Sequence, residues 1–370
     1  MTDNVSQTNV KNIAIIIDSL AGGGAEKVML TLASEMLAKG HKVTFFSLKN
    51  TAQYDVPSGI ELIFPLAKFK GAVRGWFNQG ILANMLNASV LEAQQRGGHF
   101  DMVLVNLYES YRLASACQFK NCYYIIHNSY VQELKRERRM GPIKYLYMRR
   151  ILKMLTGKKL IAVSKGVAAE LRQASLFTPE SVQHIYNPFN VDLIRQQAKE
   201  DIDANAPQKF VLHVGRAAKA KRHDVLFEAF KTVNPEYALV CLSSNNRKLE
   251  KLAKKHGIAD RVYLPGFQEN PYAWMNKSSA LVLSSDFEGL SMVLLEAILS
   301  DTKVVSTNCP FGPNEILTGD LARFLVPVAN PNALANAINE ALGSDVNLND
   351  VPVLDDIDVA KVAEKYLALV

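Results

Sequence analysis

Short, uninterrupted apolar runs alternate along this chain with stretches whose apolar residues recur at helical spacing. Residues 11–18 (KNIAIIID) are continuous in apolar character, which predicts a strand buried on both faces. A helix is predicted over 25–39, where Val28, Leu32 and Leu37 recur at helical spacing and Gly40 stands in the C′ position. A second strand follows over 41–48, with later ones over 101–106, 121–127 and 159–164. Such alternation implies a parallel α/β sheet with right-handed crossovers.

The same grammar restarts after 192–208, a polar stretch with no strong apolar face. Strands are predicted over 210–215, 237–242, 262–266, 280–284 and 303–306, with helices over 225–232 and 247–256. Residues 358–370 read as a final amphipathic helix that periodicity does not place. The pattern predicts two α/β domains, 1–191 and 192–356, and 370 residues suit that number. No repeat or low-complexity tract interrupts them.

Composition narrows the class. With 48% hydrophobic and 21% charged residues, the chain is globular rather than disordered. Its longest apolar runs, such as 13–17 and 280–283, fall far short of the ~20 residues of a membrane span. Residues 1–10 are polar, so no signal peptide is expected. The four cysteines form no C-x-x-C pair and are expected to be reduced, small core residues. Charge is uneven: residues 1–190 carry 23 Lys and Arg against 13 Asp and Glu, and the remainder 19 against 23. An anionic partner is therefore expected nearer the first half.

Candidate chemistry lies after the strands. Gly22-Gly23-Gly24, between the first strand and helix, lets backbone N–H groups approach an anion; a tight turn alone would need fewer glycines. A dinucleotide fingerprint is disfavoured, because Lys27 stands where a glycine or alanine belongs and the second strand ends without an acid. Gly215 and Arg216, followed by Lys221, leave the first strand of the second domain with two cations able to clamp a diphosphate. Glu288 lies in the loop after 280–284, and Glu296 interrupts a buried apolar helix, a costly place for an unsatisfied carboxylate. A Gly/Pro loop follows at 308–315, and His127 ends a strand of the first domain. Two Asp-x-Asp spacings, at 201–203 and 356–358, lie in polar connections, and no ligand cluster predicts a metal. The G-x-S-x-G elbow and the P-loop are both missing from the sequence.

Together these residues resemble glycosyltransferase family 4, retaining nucleotide-sugar enzymes of the GT-B fold. The similarity runs over nearly the whole chain and includes the E-x7-E spacing of Glu288 and Glu296, the strand end at 162–165 and the Asn187-Pro188 turn. The opening Gly-Gly-Gly-Ala-Glu-Lys also looks like enzymes that build bacterial surface glycans and lipid-linked oligosaccharides. The resemblance implies two Rossmann-like domains with parallel sheets facing across a cleft, the first binding the acceptor and the second the donor, with 357–370 returning to the first. It implies that Arg216 and Lys221 bind the donor diphosphate, that Glu296 accepts from the ribose hydroxyls and that Glu288 holds sugar hydroxyls. Backbone N–H groups of Leu290 and Ser291 would add phosphate contacts, Gly266 and Phe267 would lie near the base, His127 would contact the transferred sugar, and Gly23 and Gly24 would approach the phosphates. Arg222 departs from the family pattern, which often has glycine after the lysine. The implied reaction is hexosyl or N-acetylhexosaminyl transfer from a UDP-sugar, with retention and no metal or other cofactor.

The stretch 135–159 is basic and interleaved with apolar residues at near-helical spacing. Arg136, Arg138, Arg139, Lys144, Arg149 and Arg150 suit an anionic membrane surface or a phosphorylated lipid acceptor. The chain is thus expected to be cytoplasmic and peripheral on the inner face of the membrane. A core-packed helix with a solvated basic face is the competing reading. Alternatives for the whole chain are a nucleotide-sugar epimerase or phosphorylase, or a non-catalytic glycan or nucleic-acid binder; no nucleic-acid module appears.

Overall fold

The computed structural model describes residues 10–51, 54–75 and 77–370. The reading of residues 1–10 as lacking a leader falls almost wholly outside them. The chain divides into two units, one of residues 1–163, 167–188 and 359–370, the other of 164–166 and 189–358.

In the first unit the order is β1 (Asn12–Ile17), α1 (Gly24–Ala38), β2 (Lys42–Ser47), β3 (Glu61–Ile63), α2 (Gln79–Gly97), β4 (Met102–Asn106), α3 (Tyr108–Ala114), β5 (Cys122–Ile126), α4 (Tyr130–Arg139), α5 (Pro142–Lys153), β6 (Lys159–Ala162), α6 (Lys165–Arg172) and β7 (Ser181–His184). The seven strands lie in the order β3-β2-β1-β4-β5-β6-β7, each pair parallel. Ile13 through Ile17 are fully buried, as an inner strand covered on both faces requires. At the end of α1, Gly40 has φ +85 and donates to Leu37 O at 2.8 Å, while His41 N–H donates to Met36 O, so the glycine closes the last turn.

The second unit runs α7 (Val191–Gln197), β8 (Phe210–Val214), α8 (His223–Phe230), β9 (Ala238–Leu242), α9 (Asn246–His256), β10 (Val262–Gly266), α10 (Pro271–Lys277), β11 (Ala280–Leu283), α11 (Met292–Leu299), β12 (Val304–Thr307), α12 (Pro313–Ile316), β13 (Leu325–Val326) and α13 (Pro331–Gly343). Its six parallel strands lie in the order β10-β9-β8-β11-β12-β13. The last helix, α14 (Val359–Leu367), belongs to the first unit, where Lys39 Nζ meets Glu364 Oε1 at 3.3 Å and Tyr123 Oη donates to Leu369 O at 3.1 Å. Two of the four chain divisions fall at 188/189 and 358/359, beside a parallel bridge between Phe189 and Asp358 and a 2.8 Å bond from Phe189 N–H to Ile357 O.

Several sequence expectations need correction. The polar stretch after 190 does contain a helix: Asn190 caps α7 by accepting from Leu193 N–H, and Ile194 and Ala198 are buried. Two apolar anchors suffice for a helix this short, too few to register as periodicity. The basic stretch is two helices, because Gly141 (φ +122) and Pro142 break α4 from α5. Of the cysteines, all free, Cys241 and Cys309 are buried core residues, whereas Cys117 and Cys122 are half-exposed.

Candidate active site

Strand order reverses between β8 and β11, and loops leaving the carboxyl ends of two such strands form the usual ligand crevice of an open α/β sheet. The loop after β8 carries Gly215 and Arg216, makes a 3-10 turn over Lys219–Lys221, and passes through Arg222 at φ 47, ψ 49. The loop after β11 carries Ser284 through Ser291. These loops are laced together. Ser284 Oγ donates to Lys221 O at 2.7 Å, Asp286 N–H donates to Ala220 O at 2.8 Å, and Lys221 Nζ donates to Glu288 Oε1 at 2.7 Å. Ser285 Oγ donates to that same carboxylate oxygen at 2.6 Å.

Glu288 is held from behind by the Gly/Pro loop. Its N–H donates to Pro310 O at 2.7 Å, and its carbonyl accepts from Phe311 N–H at 3.1 Å. Gly312 closes this contact at φ +96, where a Cβ would lie 2.9 Å from the backbone nitrogen of Ser291; only glycine fits. Ser291 is the N-cap of α11, and its hydroxyl is buried with no partner among the described residues. Glu296 sits one turn into α11, 5% exposed, and Tyr272 Oη of α10 donates to its Oε1 at 3.3 Å. Arg216 is exposed, and among the described residues its guanidinium has no ion pair or hydrogen bond. Gly266 ends β10, and the Phe267 ring beyond it is 66% exposed.

The structure therefore brings Lys221, Glu288, Leu290 and Ser291 to one crevice mouth, and Arg216 leaves the same strand end. Arg222 takes the left-handed conformation that glycine would adopt more readily. Its guanidinium bonds Asp224 at 2.9 Å and Asp286 at 2.9 Å, which offsets the backbone cost and holds its pKa above the usual arginine value.

Sequence reasoning missed the floor of this crevice. His213 of β8 and His223 of α8 stack edge to face with ring centroids 4.6 Å apart. His213 Nδ1–H donates to Val282 O at 2.9 Å, so Nε2 carries the lone pair; among the described residues that atom has no partner, and neither does Nε2 of His223. Burial lowers the pKa of His213 to about 4 and of His223 to about 2, so both are neutral at pH 7. The signal was a polar residue inside the apolar run FVLHV.

In the first unit the order reverses between β1 and β4. Gly23 is the N-cap of α1, and the Glu26 carboxylate folds back over it, 2.2 Å from where a Cβ would stand; at Gly24 a Cβ would meet nothing. His127 follows β5, and its Nε2–H donates to Asn106 Oδ1 at 2.9 Å, leaving Nδ1 as an acceptor. Burial lowers its pKa to about 4. Beside it lies a cavity of about 20 Å³ lined by Tyr108, Tyr111 and Leu155, room for about one water. Asp18 went unremarked at the end of the first apolar run. Its Oδ1 accepts from Ser110 N–H and Oγ, both at 2.7 Å, yet burial outweighs these bonds and raises its pKa to about 6.

The basic residues separate. Arg136 is exposed, but its charge is engaged within α4: its guanidinium bonds Glu133 at 3.0 Å and Glu137 at 2.8 Å, two carboxylates that α4 itself buries. Arg138, Arg139, Lys144 and Arg150 are exposed, and Arg149 is half-buried. Tyr147, Ile151, Leu152 and Leu155 pack inward, whereas Met140, Ile143 and Leu146 are exposed, Ile143 at 76%. Among the described residues, no helix is long and apolar enough to cross a membrane, and no group of three or more His, Cys, Asp or Glu is placed to hold a metal.

Comparison with known proteins follows the two units. Residues 22–193 match the family described as Glycosyltransferase Family 4, and residues 194–351 match Glycosyl transferases group 1. A Campylobacter jejuni relative, N-acetylgalactosamine-N,N'-diacetylbacillosaminyl-diphospho-undecaprenol 4-alpha-N-acetylgalactosaminyltransferase, is 27% identical over 97% of this chain and 100% of its own. The lipopolysaccharide 1,6-galactosyltransferase of Salmonella typhimurium is 25% identical over 50% of this chain and 53% of its own. Among solved structures, a Rickettsia africae glycosyltransferase superposes with a TM-score of 0.73 at 18% identity, covering 98% of both chains. An Anabaena protein, Alr3699/HepE, solved with UDP and glucose, gives 0.71 at 19% identity, covering 97% of this chain and 98% of its own.

Proposed function

The chain belongs to the family 4 glycosyltransferases and has their GT-B fold, and we propose that it transfers a hexose or N-acetylhexosamine from a UDP-sugar, with retention, to a lipid-linked glycan in bacterial surface-glycan assembly. The observation that carries the donor half of this reading is the Lys221–Glu288 pair at the β8/β11 strand ends, with Arg216 unpaired beside it.

Breaking the anomeric C–O bond leaves negative charge on the β-phosphate and positive charge on the sugar. Lys221 and Arg216 stabilise the departing diphosphate, and the buried Ser291 hydroxyl with the N-terminus of α11 adds neutral donors. Fixed cations do this without a metal. Glu288, anchored by Ser285 and Lys221, accepts from sugar hydroxyls; Glu296 accepts from the ribose; the Gly266-Phe267 loop, whose ring is exposed, lies near the base. His127, neutral at pH 7, offers an uncharged acceptor to a sugar hydroxyl. Glu288 and Glu296 are not a glycosidase pair, in which both carboxyls flank the scissile bond.

The acceptor half rests on the Campylobacter relative, whose name describes transfer to a diphospho-undecaprenol-linked sugar. It rests also on the exposed Met140, Ile143 and Leu146 set among Arg138, Arg139, Lys144 and Arg150, an apolar and basic face suited to the inner, anionic surface of the cell membrane. The test is incubation with a panel of UDP-sugars, with and without a lipid-linked acceptor and with and without EDTA, followed by assignment of the new anomeric linkage by NMR. A retained linkage formed only with acceptor, in EDTA, is the expected result. Epimerised donor without acceptor, an inverted linkage, or a strict divalent-ion requirement would each overturn the corresponding part.

A further inference from the structure

A groove of about 360 Å³ runs beside α4 and α5 in the first unit, a volume in the ligand-pocket range of roughly 300–1,000 Å³. Three cations line it: Lys135 and Arg138, one turn apart on α4, and Arg149 of α5. Leu134 and Leu176 supply apolar wall, and Tyr145 an aromatic one. Among the described residues, no carboxylate lines it. Glu170 feels the charge of Lys135 but is itself engaged by Ser129 Oγ at 2.7 Å and Tyr130 N–H at 2.9 Å.

Arg149 is the telling residue. Its Nε–H is buried and, among the described residues, bonds nothing. A guanidinium does not deprotonate in a protein, so a buried N–H on it calls for an acceptor. Arg136, on the same α4, shows what the fold does when the cation is structural: it supplies Glu133 and Glu137. At Arg149 it supplies none. Cations without carboxylates beside an apolar wall fit an anion that carries a hydrocarbon chain.

We propose that this groove is a phosphate subsite for a phosphorylated lipid, with Arg149 as its buried donor and Lys135 and Arg138 as its outer charges. The phosphate has two sources, the diphosphate of a prenyl-linked acceptor or a phospholipid headgroup; the first of these rests on the acceptor proposed above.

The probe is geranyl diphosphate, titrated by calorimetry against the whole chain with saturating UDP, so that the nucleotide occupies any diphosphate site near Lys221. Geraniol is the uncharged control. Binding of the diphosphate and not of geraniol is expected, weakened ~10-fold or more by Arg149→Met and by Arg138→Gln, each removing a charge-assisted contact. Lys153→Gln, on α5 outside the groove, should leave it unchanged. Unaltered UDP affinity verifies folding; should Arg149→Met fail that check, Arg138→Gln and Lys135→Gln carry the test.

Sedimentation with phosphatidylglycerol and phosphatidylcholine vesicles separates the sources. Loss of phosphatidylglycerol binding in the groove variants assigns the headgroup; unchanged vesicle binding with weakened geranyl diphosphate assigns the acceptor. Geranyl diphosphate and vesicle binding both insensitive to the groove variants would overturn the site. A chain that binds geranyl diphosphate through Arg149 yet glycosylates only soluble glycans would overturn the lipid-linked acceptor and leave the site standing.

Discussion

Lys221 and Glu288, 67 positions apart in sequence, meet at 2.7 Å where the strand order of the second sheet reverses, and Ser285 donates to the same carboxylate oxygen. The lysine proposed to meet the phosphate is thus positioned by the carboxylate proposed to meet the sugar. Their substitutions should be coupled. Lys221→Ala should lower kcat on the order of 10²-fold, the scale of one lost transition-state donor. Glu288→Gln, which keeps a neutral acceptor for Ser285, should depress turnover while leaving UDP affinity within ~3-fold, because the unaltered charge on Lys221 would still meet the diphosphate. Steady-state kinetics beside UDP titrations measure both; a turnover untouched by Lys221→Ala removes the lysine from the reaction.

Glu296 is buried against Tyr272 in an otherwise apolar helix. Glu296→Gln should keep the fold and weaken UDP binding ~10-fold or more, the scale of a charged hydrogen bond. UDP affinity that falls with Glu288 and ignores Glu296 would reverse the two roles.

Arg222 offers a test of backbone strain. Arg222→Gly relieves the left-handed conformation but loses the Asp224 and Asp286 pairs; Arg222→Ala loses the pairs and keeps the strain. The alanine variant should therefore be less stable than the glycine variant by about 1 kcal/mol, read from urea midpoints. Equal midpoints would mean that the loop relaxes to another conformation.

His213 makes stability depend on pH. Its folded pKa is lowered by burial to about 4, from an ordinary 6.5, so in the window between them the unfolded chain binds the proton first. Stability present above pH 6.5 is lost as pH falls towards 4, by about 1.4 kcal/mol per pH unit for this group. Asp18, raised to about 6, works in the opposite direction over part of that window. The difference between wild type and His213→Asn isolates the histidine: the gap should narrow from pH 7 to pH 5. A constant gap would place the ring in contact with solvent.

The face bearing Ile143 and Leu146 should bind anionic vesicles through both area and charge. Ile143→Ser with Leu146→Ser should weaken binding at every salt concentration, whereas Lys144→Gln with Arg150→Gln should do so chiefly at low salt, since charge attraction decays within a Debye length of ~8 Å at physiological ionic strength. Vesicle sedimentation decides; retention of binding by all four together would make the face merely solvated.

The inner strands and the ligand ends of both sheets were legible in the chain, because a strand buried on both faces must be apolar without interruption and a ligand loop must follow it. Residues 13–17 and 280–283 declared themselves in that way, and Glu296 stood out because a carboxylate in an apolar helix needs a reason. Edge elements were not legible: β3 is only three residues long and β7 (SVQH) carries little apolar signal. Neither was α7, held by two buried side chains and an asparagine cap. Which charges act and which are consumed was a matter of distance alone. Arg136 and Arg149 look alike in sequence, yet α4 turns two glutamates onto the first, whereas among the described residues the buried Nε–H of the second has no acceptor. Sequence spacing cannot distinguish them, because an ion pair depends on where side chains converge in space, and helix packing sets that after each segment's pattern has done no more than choose which face is buried.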